Sequence, residues 1–311
     1  MKLYIKRLLK SLLAAFVLLN VIVICHAYKF THFYEAGEIT VKDKTDKTGW
    51  DKTKEMFLGF NAVKSKNEQP DSAVKTTYFT TKCGLKLEAW EYRADSAIGT
   101  VALFHGHGSK KSSLLPEAAV FRGLGYNTLL LDFRAHGGSQ GNTCTIGYKE
   151  AEDVKLVYDH LLNKGEKNII LYGVSLGAAT ITKAINDYTL TPSKVILDMP
   201  FGSLSTAVTG RLKMMGVPAQ PVGGLLTFWG GLQNGFWAFN HKPYEYVRKI
   251  ECPVLLQRGK LDPRVTQEET DLVYANIHGP KQMLIYETAS HEALYKKEPE
   301  KWVAAITSFL Q

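Results

Sequence analysis

The sequence predicts an α/β fold, with a mostly parallel central sheet and helices on both of its faces. Six segments each contain a continuous apolar run, as is typical of strands buried on both faces: TVALFH, NTLLLDF, NIILYG, KVILDM, CPVLLQR and QMLIYE. Helical patterns alternate with these strands, at residues 113–123, 148–162, 176–188, 266–277 and 299–310. This alternation implies right-handed crossovers between parallel strands. Before them, VKTTYFTT and LKLEAWEY predict a hairpin around Cys83-Gly84.

The N-terminus has the pattern of an export signal. MKLYIKRLLK is basic, SLLAAFVLLNVIVI is an apolar run of 14 residues, and small residues follow at Cys25 and Ala27. Residues 1–27 are therefore either a cleaved signal peptide or a membrane anchor, because the apolar run extends to about 18 residues, the lower limit for crossing a bilayer. Either alternative leaves the basic flank in the cytoplasm and the body of the protein on the exported side, secreted or anchored.

Two more segments complete the predicted domain organisation. Residues 28–72 are polar and rich in lysine, and we expect a surface arm that packs on an α/β domain at residues 73–311. Within that domain, residues 201–248 follow the sixth strand and contain no acid before Glu245. They form either an extra helical pair over the core or a lid with an apolar underside. We favour the lid, because long insertions are commonly binding elements, and expect its aromatic side chains to contact substrate: Phe228, Trp229, Phe236 and Trp237.

Charge and cysteine content narrow the function classes. Of the formal net charge of +8, four positive charges lie within residues 1–27, and the remainder forms no dense basic stripe with interleaved aromatic residues. We therefore expect no nucleic-acid partner. Beyond Cys25, the exported body contains three cysteines, an odd number, so at least one thiol should be free or intermolecular: Cys83, Cys144 and Cys252.

The stretch LYGVSLGAAT places Gly-x-Ser-x-Gly between a predicted strand and a predicted helix. A serine hydroxyl is a poor nucleophile unless it is presented openly to a base and an electrophile. A sharp strand-to-helix turn presents Ser175 in this way, and side chains at Gly173 and Gly177 would collide with such a turn. The pattern predicts Ser175 as a nucleophile; the alternative is a glycine-rich packing turn.

A second glycine-containing turn predicts a site for the developing oxyanion. His105-Gly106-His107-Gly108 follows an earlier strand directly, and a flexible turn at Gly106 would allow the backbone N–H of His107 to point at the oxyanion. The second donor is expected to be the N–H of Leu176, at the start of a helix. A zinc site of the His-x-His-x-Asp-His type would need Asp at position 109 and His at 110, where Ser109 and Lys110 stand, so we expect no metal.

The base and its orienting acid are expected at later strand ends. Asp262 follows CPVLLQRG, and His291 follows the last strand. The order Ser175, Asp262, His291 is the order described for the nucleophile-elbow fold. His291 would accept the serine proton, and Asp262 would fix its tautomer. Asp198, at the end of the strand before the insertion, is the alternative acid.

With these motifs, residues 75–310 resemble the α/β-hydrolase superfamily, most closely its monoacylglycerol-lipase-like and serine-aminopeptidase-like members. LDFRAHGGSQG resembles that family's D-x-R-G-x-G-x-S loop, with Ala135 in place of the usual glycine. The resemblance implies a hydrolase that works through an acyl-enzyme without a cofactor. It does not define the substrate, since this fold hosts many chemistries. We expect the polar residues around this loop to be structural: Asp132, Arg134, His136, Glu150 and Asp153.

Three functions follow from these patterns. The first is a serine hydrolase that cleaves small-molecule carboxylic esters or thioesters with an apolar acyl group, in contact with a membrane surface. The second is a peptidase, aminopeptidase or amidase with the same three residues, but an aminopeptidase needs carboxylates for the substrate ammonium, and the insertion has none before Glu245. The third, a non-catalytic binding protein of this fold, should lack one of the three residues, and all are present.

Overall fold

The computed structural model describes residues 2–35, 37–42, 45–70 and 74–311. The predicted boundary between the arm and the α/β domain, at residues 72 and 73, lies outside the described residues. The predicted boundary at residue 27 falls inside the first helix. The described α-helices are α1 (Lys2–Thr31), α2 (Gly49–Leu58), α3 (Leu115–Gly123), α4 (Ala151–Asn163), α5 (Leu176–Tyr188), α6 (Leu204–Met214), α7 (Val222–Asn234), α8 (Pro243–Tyr246), α9 (Gln267–Asn276), α10 (Leu294–Lys297) and α11 (Pro299–Leu310).

The described strands form one large sheet and one small pair. The strands are β1 (Phe33–Tyr34), β2 (Ala62–Val63), β3 (Lys75–Thr80), β4 (Lys86–Tyr92), β5 (Thr100–Phe104), β6 (Asn127–Leu131), β7 (Ile169–Val174), β8 (Lys194–Asp198), β9 (Val254–Gly259) and β10 (Lys281–Tyr286). The large sheet has the order β10-β9-β8-β7-β5-β6-β4-β3, and β1 pairs with β2. From β6 to β10 its neighbours are parallel, whereas β3 and β4 form an antiparallel hairpin and β4 pairs antiparallel with β6. The prediction of a mostly parallel sheet is confirmed.

Both faces of the sheet are covered by helices. One buried cluster joins the sheet to α4, α5 and α9 through residues such as Val154, Ile181 and Val273. The cluster on the other face includes Phe121 of α3 and Trp302 of α11. Burial of the strands on both faces explains their continuous apolar runs.

The loop before α4 explains why this helix begins later than predicted. The buried carboxylate of Glu150 accepts hydrogen bonds from the N–H groups of Thr145 and Gly147, at 2.9 and 2.8 Å. Gly147 has a φ of +96°, which glycine adopts without a steric cost. This turn holds residues 145–150 outside the helix, and α4 begins at Ala151.

The insertion after β8 contains α6, α7 and α8, and α7 packs against α1. The indole N–H of Trp229 donates to Asn20 Oδ1 at 2.9 Å, and Gln233 Nε2 donates to the carbonyl of Ile24 at 3.1 Å. The same end of α1 buries Val23 and Ala27. The C-terminal part of α1 is therefore packed into the folded body.

The first part of α1 is different, because its apolar side chains are exposed. Leu3, Leu9, Leu13 and Phe16 each expose more than half of their surface. By length and composition α1 is able to cross a membrane, a test that a signal sequence near the N-terminus also passes. The helix therefore has two parts, an exposed apolar one and a packed one.

Candidate active site

Ser175 stands on a strained turn between β7 and α5. Its φ of 52° and ψ of −106° are unusual for a residue with a side chain. A Cβ atom at Gly177 would lie 2.1 Å from the carbonyl oxygen of Phe104 in β5, and one at Gly173 would lie 2.6 Å from the backbone of Gly177 and Ala178. Since neither position has room for a side chain, the two glycines allow α5 to approach the sheet closely and expose the serine hydroxyl at the sheet edge.

The structure brings Ser175, His291 and Asp262 together. His291 Nε2 lies 2.9 Å from Ser175 Oγ, and His291 Nδ1 lies 2.7 Å from Asp262 Oδ2. The other carboxylate oxygen of Asp262 accepts the N–H groups of Arg264 and Val265, at 2.8 and 3.0 Å. The loop after β9 thus fixes the carboxylate, which in turn orients the imidazole.

The surroundings of Asp262 keep its carboxyl group ionised. Burial raises the pKa of Asp262, but the hydrogen bond and charge of His291 and the two backbone N–H groups lower it by more, so the pKa lies below its ordinary value. An ionised carboxylate accepts a proton-bearing Nδ1, which leaves Nε2 free to accept the serine proton. This arrangement is suited to general base catalysis.

Asp198, the alternative acid, has other partners. It accepts hydrogen bonds from the Tyr172 hydroxyl and from Gln257 Nε2, both at 2.8 Å. Burial raises its pKa to about 6. Its backbone carbonyl accepts the N–H of Ser175 at 2.7 Å, so Asp198 stabilises the turn at Ser175. It forms no hydrogen bond with His291 among the described residues.

The turn at Gly106 faces Ser175, as an oxyanion site requires. A Cβ at Gly106 would lie 3.6 Å from the carbonyl oxygen of Val174 and 3.8 Å from Ser175 Cβ. Among the described residues, no backbone carbonyl accepts the N–H of His107. Leu176 is the first residue of α5, where a backbone N–H has no partner inside the helix. Both N–H groups are available to a ligand.

Two buried histidines fix this turn from behind. His136 Nε2 accepts the N–H of Gly108 at 3.0 Å while its Nδ1 donates to the Arg134 carbonyl at 2.9 Å. His105 Nε2 accepts the N–H of Phe133 at 3.1 Å. The imidazole of His107 is itself buried, and burial followed by the charges of His136 and Arg211 holds its pKa well below the ordinary value. The His107 side chain is therefore neutral.

The other polar residues expected to be structural hold loops together. Arg134 pairs with Asp153 and, at 2.8 Å, with Glu152. Asp132 accepts the N–H groups of Lys111 and Gly138, at 2.6 and 2.8 Å. None of these contacts involves Ser175 or His291.

The catalytic candidates open into a cleft of about 240 Å³. Its walls come from α3, the Gly106 turn, α6 and the C-terminal end of α1, and they include Phe30, Glu117, Leu204, Val208, Arg211 and Arg264. A second, more apolar cavity of about 110 Å³ shares Phe30, Leu204, Val208 and Arg211 with the cleft and continues between α1, α6 and α7.

The aromatic residues of the insertion are placed differently from the expectation. Phe236 lines the apolar cavity and stacks on Tyr148 at 4.1 Å, but it does not line the cleft. Phe228, Trp229 and Trp237 line neither space. The physical reason is that α6 lines the cleft, whereas the outer side of α7 packs against α1, where Trp229 bonds to Asn20.

Sequence reasoning missed Phe30, Glu117, Arg211 and Arg264. Phe30 is separated from Ser175 by almost half of the chain, and no local pattern marks it as a wall of the site. Arg211 had a weak signal, as a cation within an insertion that lacks acids before Glu245. Arg264 stands two residues after Asp262, so its place beside the base follows once Asp262 is assigned.

The described residues contain no cluster of three or more His, Cys, Asp or Glu side chains that would hold a metal ion. The described cysteines are all free thiols: Cys25, Cys83, Cys144 and Cys252. Cys144 is fully buried, and burial raises the pKa of its thiol.

Comparisons with known proteins agree with this architecture. A family model described as serine aminopeptidase, S33, matches residues 95–226. The uncharacterized protein YqkD of Bacillus subtilis is 26% identical over 310 residues, or 97% of each chain. Among solved structures, the esterase Pf2001 of Pyrococcus furiosus is 24% identical with a TM-score of 0.65 and covers 79% of this chain and 97% of its own. An esterase of Exiguobacterium antarcticum is 18% identical with a TM-score of 0.58 and covers 76% and 99%. At these identities the structural likenesses show the fold.

Proposed function

We propose that this chain, which has the α/β-hydrolase fold and matches the serine aminopeptidase, S33 model over residues 95–226, is a serine hydrolase that cleaves carboxylic esters or thioesters with an apolar acyl group. The observation that carries the proposal is the hydrogen-bonded series from Ser175 through His291 to Asp262, with its distances of 2.9 and 2.7 Å. These are the distances at which proton transfer between a nucleophile and its base occurs.

In the first half of the reaction, Ser175 Oγ attacks the substrate carbonyl carbon while His291 Nε2 takes the hydroxyl proton. The negative oxygen of the tetrahedral intermediate is held by the N–H groups of His107 and Leu176. Collapse breaks the bond to the alcohol or thiol, which leaves with the proton from His291. Asp262 stabilises the imidazolium that exists between these two transfers.

In the second half, water replaces the departed alcohol or thiol. His291 Nε2 takes a proton from this water, and its oxygen attacks the acyl-enzyme carbonyl. The bond to Ser175 Oγ then breaks, the proton returns to the serine, and a carboxylic acid is released. Every proton and bond in this cycle is accounted for by Ser175, His291, the substrate and water.

The second cavity supports an apolar acyl group. It adjoins the cleft through Phe30, Leu204 and Val208 and is lined further by residues such as Leu226 and Phe236. An acyl chain that enters this space leaves water for an apolar surface, which favours binding by about 0.8 kcal/mol for each buried CH₂ group.

The charges of the cleft argue against an aminopeptidase, which must hold a substrate ammonium. The two carboxyl groups in the cleft are Glu117 and Glu292. Burial raises the pKa of Glu117 to about 7, so near neutral pH it carries only part of the charge of an ordinary carboxylate. Glu292 is exposed and accepts the N–H of Ser290 at 3.2 Å. Arg211 and Arg264 would repel an ammonium group.

We propose further that α1 is retained as a membrane anchor and that the catalytic domain lies on the exported side. Cleavage after Ala27 would remove the buried Val23 and Ala27 and the bond from Trp229 to Asn20. The exposed apolar part of α1 would lie in the bilayer with its basic flank on the cytoplasmic side, and the packed part would keep the cleft near the membrane surface.

Labelling with a fluorophosphonate probe tests the nucleophile. We expect the full-length protein in mild non-ionic detergent to be labelled and Ser175→Ala to be unlabelled. Ser113→Ala is the matched control, because Ser113 also lines the cleft but bonds to Ser109 and has no histidine base. A labelled Ser175→Ala protein would show that Ser175 is not the nucleophile. A folded wild-type protein that neither labels nor turns over esters would favour the non-catalytic alternative.

A substrate series tests the reaction class. p-Nitrophenyl esters of increasing acyl length are compared with aminoacyl p-nitroanilides under the same conditions. We expect kcat/KM to rise with acyl length until the cavity is filled, and anilide turnover to be slower. Faster turnover of the anilides would place the enzyme among the peptidases.

A further inference from the structure

Two arginines line the cleft without an acidic partner. Arg211 projects from α6, and Arg264 follows the loop that carries Asp262; both share the cleft with Ser175 and His291. Over the described ranges of the chain, neither guanidinium forms an ion pair with a carboxylate, and the buried Nε of Arg264 has no hydrogen-bond partner. A buried donor without a partner costs about 1–3 kcal/mol, so a structure seldom keeps one without a reason.

Contacts restrain the backbone of Arg264 and the side chain of Arg211. The backbone N–H of Arg264 is bonded to Asp262 Oδ1 at 2.8 Å, which ties its loop to the acid beside the base. The guanidinium of Arg211 lies 4.8 Å from the centroid of the Phe30 ring, at the boundary between the cleft and the apolar cavity. The structure therefore holds the guanidinium of Arg211 beside Phe30 and the backbone of Arg264 beside Asp262.

The two arginines are close enough to repel each other. Burial lowers the pKa of Arg211, and the charge of Arg264 lowers it further. Both charges also contribute to the low pKa of His107, whose N–H faces the cleft. Like charges held together without a counter-ion are unfavourable, and an anion between them would remove that cost.

We propose that Arg211 and Arg264 bind an anionic group of the substrate, a phosphate or a carboxylate, on the same ester that Ser175 attacks. The inference deepens the proposed function and rests on it. Guanidinium groups bind such oxyanions with two parallel hydrogen bonds. Since Arg211 also lines the apolar cavity, the substrate class is an anionic amphiphile with an apolar acyl chain and a charged group near the scissile bond.

Neither carboxyl group of the cleft supplies the missing charge. Glu117 is buried with one oxygen unpartnered among the described residues, and Glu292 is exposed and accepts the N–H of Ser290. Neither forms an ion pair with Arg211 or Arg264 within the described part of the chain. Among the described residues no carboxylate pairs with these two arginines, and we expect the substrate to supply the anion.

Four octanoyl esters test the inference on the full-length protein in mild non-ionic detergent. Octanoyl glycolate carries a carboxylate, octanoyl glycolamide is its neutral counterpart, and 1-octanoyl-glycerol 3-phosphate carries a phosphate; monooctanoylglycerol is the neutral counterpart of the last. We expect kcat/KM for at least one anionic ester to exceed that of its neutral counterpart by about tenfold or more. This ratio should fall with rising salt concentration.

Arginine variants identify the groups responsible. In Arg264→Gln and in Arg211→Gln the ratio of anionic to neutral kcat/KM should fall toward one. Arg248→Gln, which removes an exposed arginine bonded to Asn276, should keep the wild-type ratio. If Arg211→Gln does not fold, Arg211→Lys replaces it as a variant that retains the positive charge. The Arg264→Gln variant then decides by itself whether the arginines cause the preference for anionic esters.

The outcomes separate the two proposals. Equal kcat/KM for anionic and neutral esters in the wild type would overturn the anion site and leave the esterase intact. So would an equal loss on all four esters in the arginine variants, which indicates packing only. Hydrolysis of none of the four, together with labelling of Ser175→Ala, would overturn the proposed function itself. If only one of the two anionic esters is preferred over its neutral counterpart, its anionic group, phosphate or carboxylate, is the one that the arginines bind.

Discussion

Replacement of Glu117 by glutamine tests whether a buried carboxyl group in the cleft wall couples folding to pH. Glu117 lies in α3, only 2% exposed, and its Oε2 has no hydrogen-bond partner among the described residues. Burial raises its pKa from 4.5 to about 7, and the negative charge of Asp198 acts in the same direction. Glutamine has nearly the same shape but does not ionise.

The sign of the effect follows from the protons bound. Between pH 4.5 and about 7, folded Glu117 keeps its proton while the unfolded chain has lost it. The folded state then binds more protons, so the free energy of unfolding decreases as pH rises through this window. The free energy of unfolding changes by about 1.4 kcal/mol for each pH unit in this window. Through Glu117, the wild type therefore loses roughly 2 to 3 kcal/mol of its free energy of unfolding between pH 5 and pH 8.

Urea unfolding of the full-length protein in non-ionic detergent, followed by tryptophan fluorescence at pH 5 and pH 8, measures this loss. We compare the free energy of unfolding of Glu117→Gln with that of the wild type at each pH. We expect this difference to shift in favour of the variant by about 2 to 3 kcal/mol from pH 5 to pH 8. Glu300→Gln, at an exposed position of α11, should show no such gain. A difference between Glu117→Gln and wild type that is the same at both pH values would refute the reasoning.

Two further substitutions probe the turn and the base. Gly177→Ala puts a Cβ 2.1 Å from the Phe104 carbonyl oxygen, so we expect the free energy of unfolding measured in urea to fall by about 3 kcal/mol. Gly123→Ala is the control, because its Cβ meets no atom within 4 Å and should leave the free energy of unfolding unchanged. Equal stability of the two variants would contradict this expectation. Asp262→Asn removes the charge that orients His291, so kcat for a p-nitrophenyl ester should fall roughly 10⁴-fold. The control variant Glu292→Gln should keep a kcat near that of the wild type. A loss of kcat below tenfold in Asp262→Asn would indicate that another acid is the partner of His291.

Much of the fold follows from local patterns. Helix α5 begins at Leu176 and ends at Tyr188, and α11 spans Pro299–Leu310, both as predicted, because apolar spacing and breakers define such ends without help from distant residues. The predicted hairpin around Cys83-Gly84 is confirmed as β3 and β4. The catalytic roles of Ser175, Asp262 and His291 stay predictions, although the structure places these side chains within hydrogen-bond distance.

The sequence by itself determined the α/β class, the alternation of strands and helices along the chain, and the sharp turn at Ser175. Each of these depends on neighbours a few residues apart. Only the tertiary structure decided that Phe30 of α1 forms a wall of the cleft and that the aromatic residues of α7 do not line it. It also decided that Arg211 and Arg264 line the same cleft as His107. The physical reason is that packing and electrostatics act through space. Residues far apart in the chain can contact, repel or enclose one another, and local periodicity carries no record of those distances.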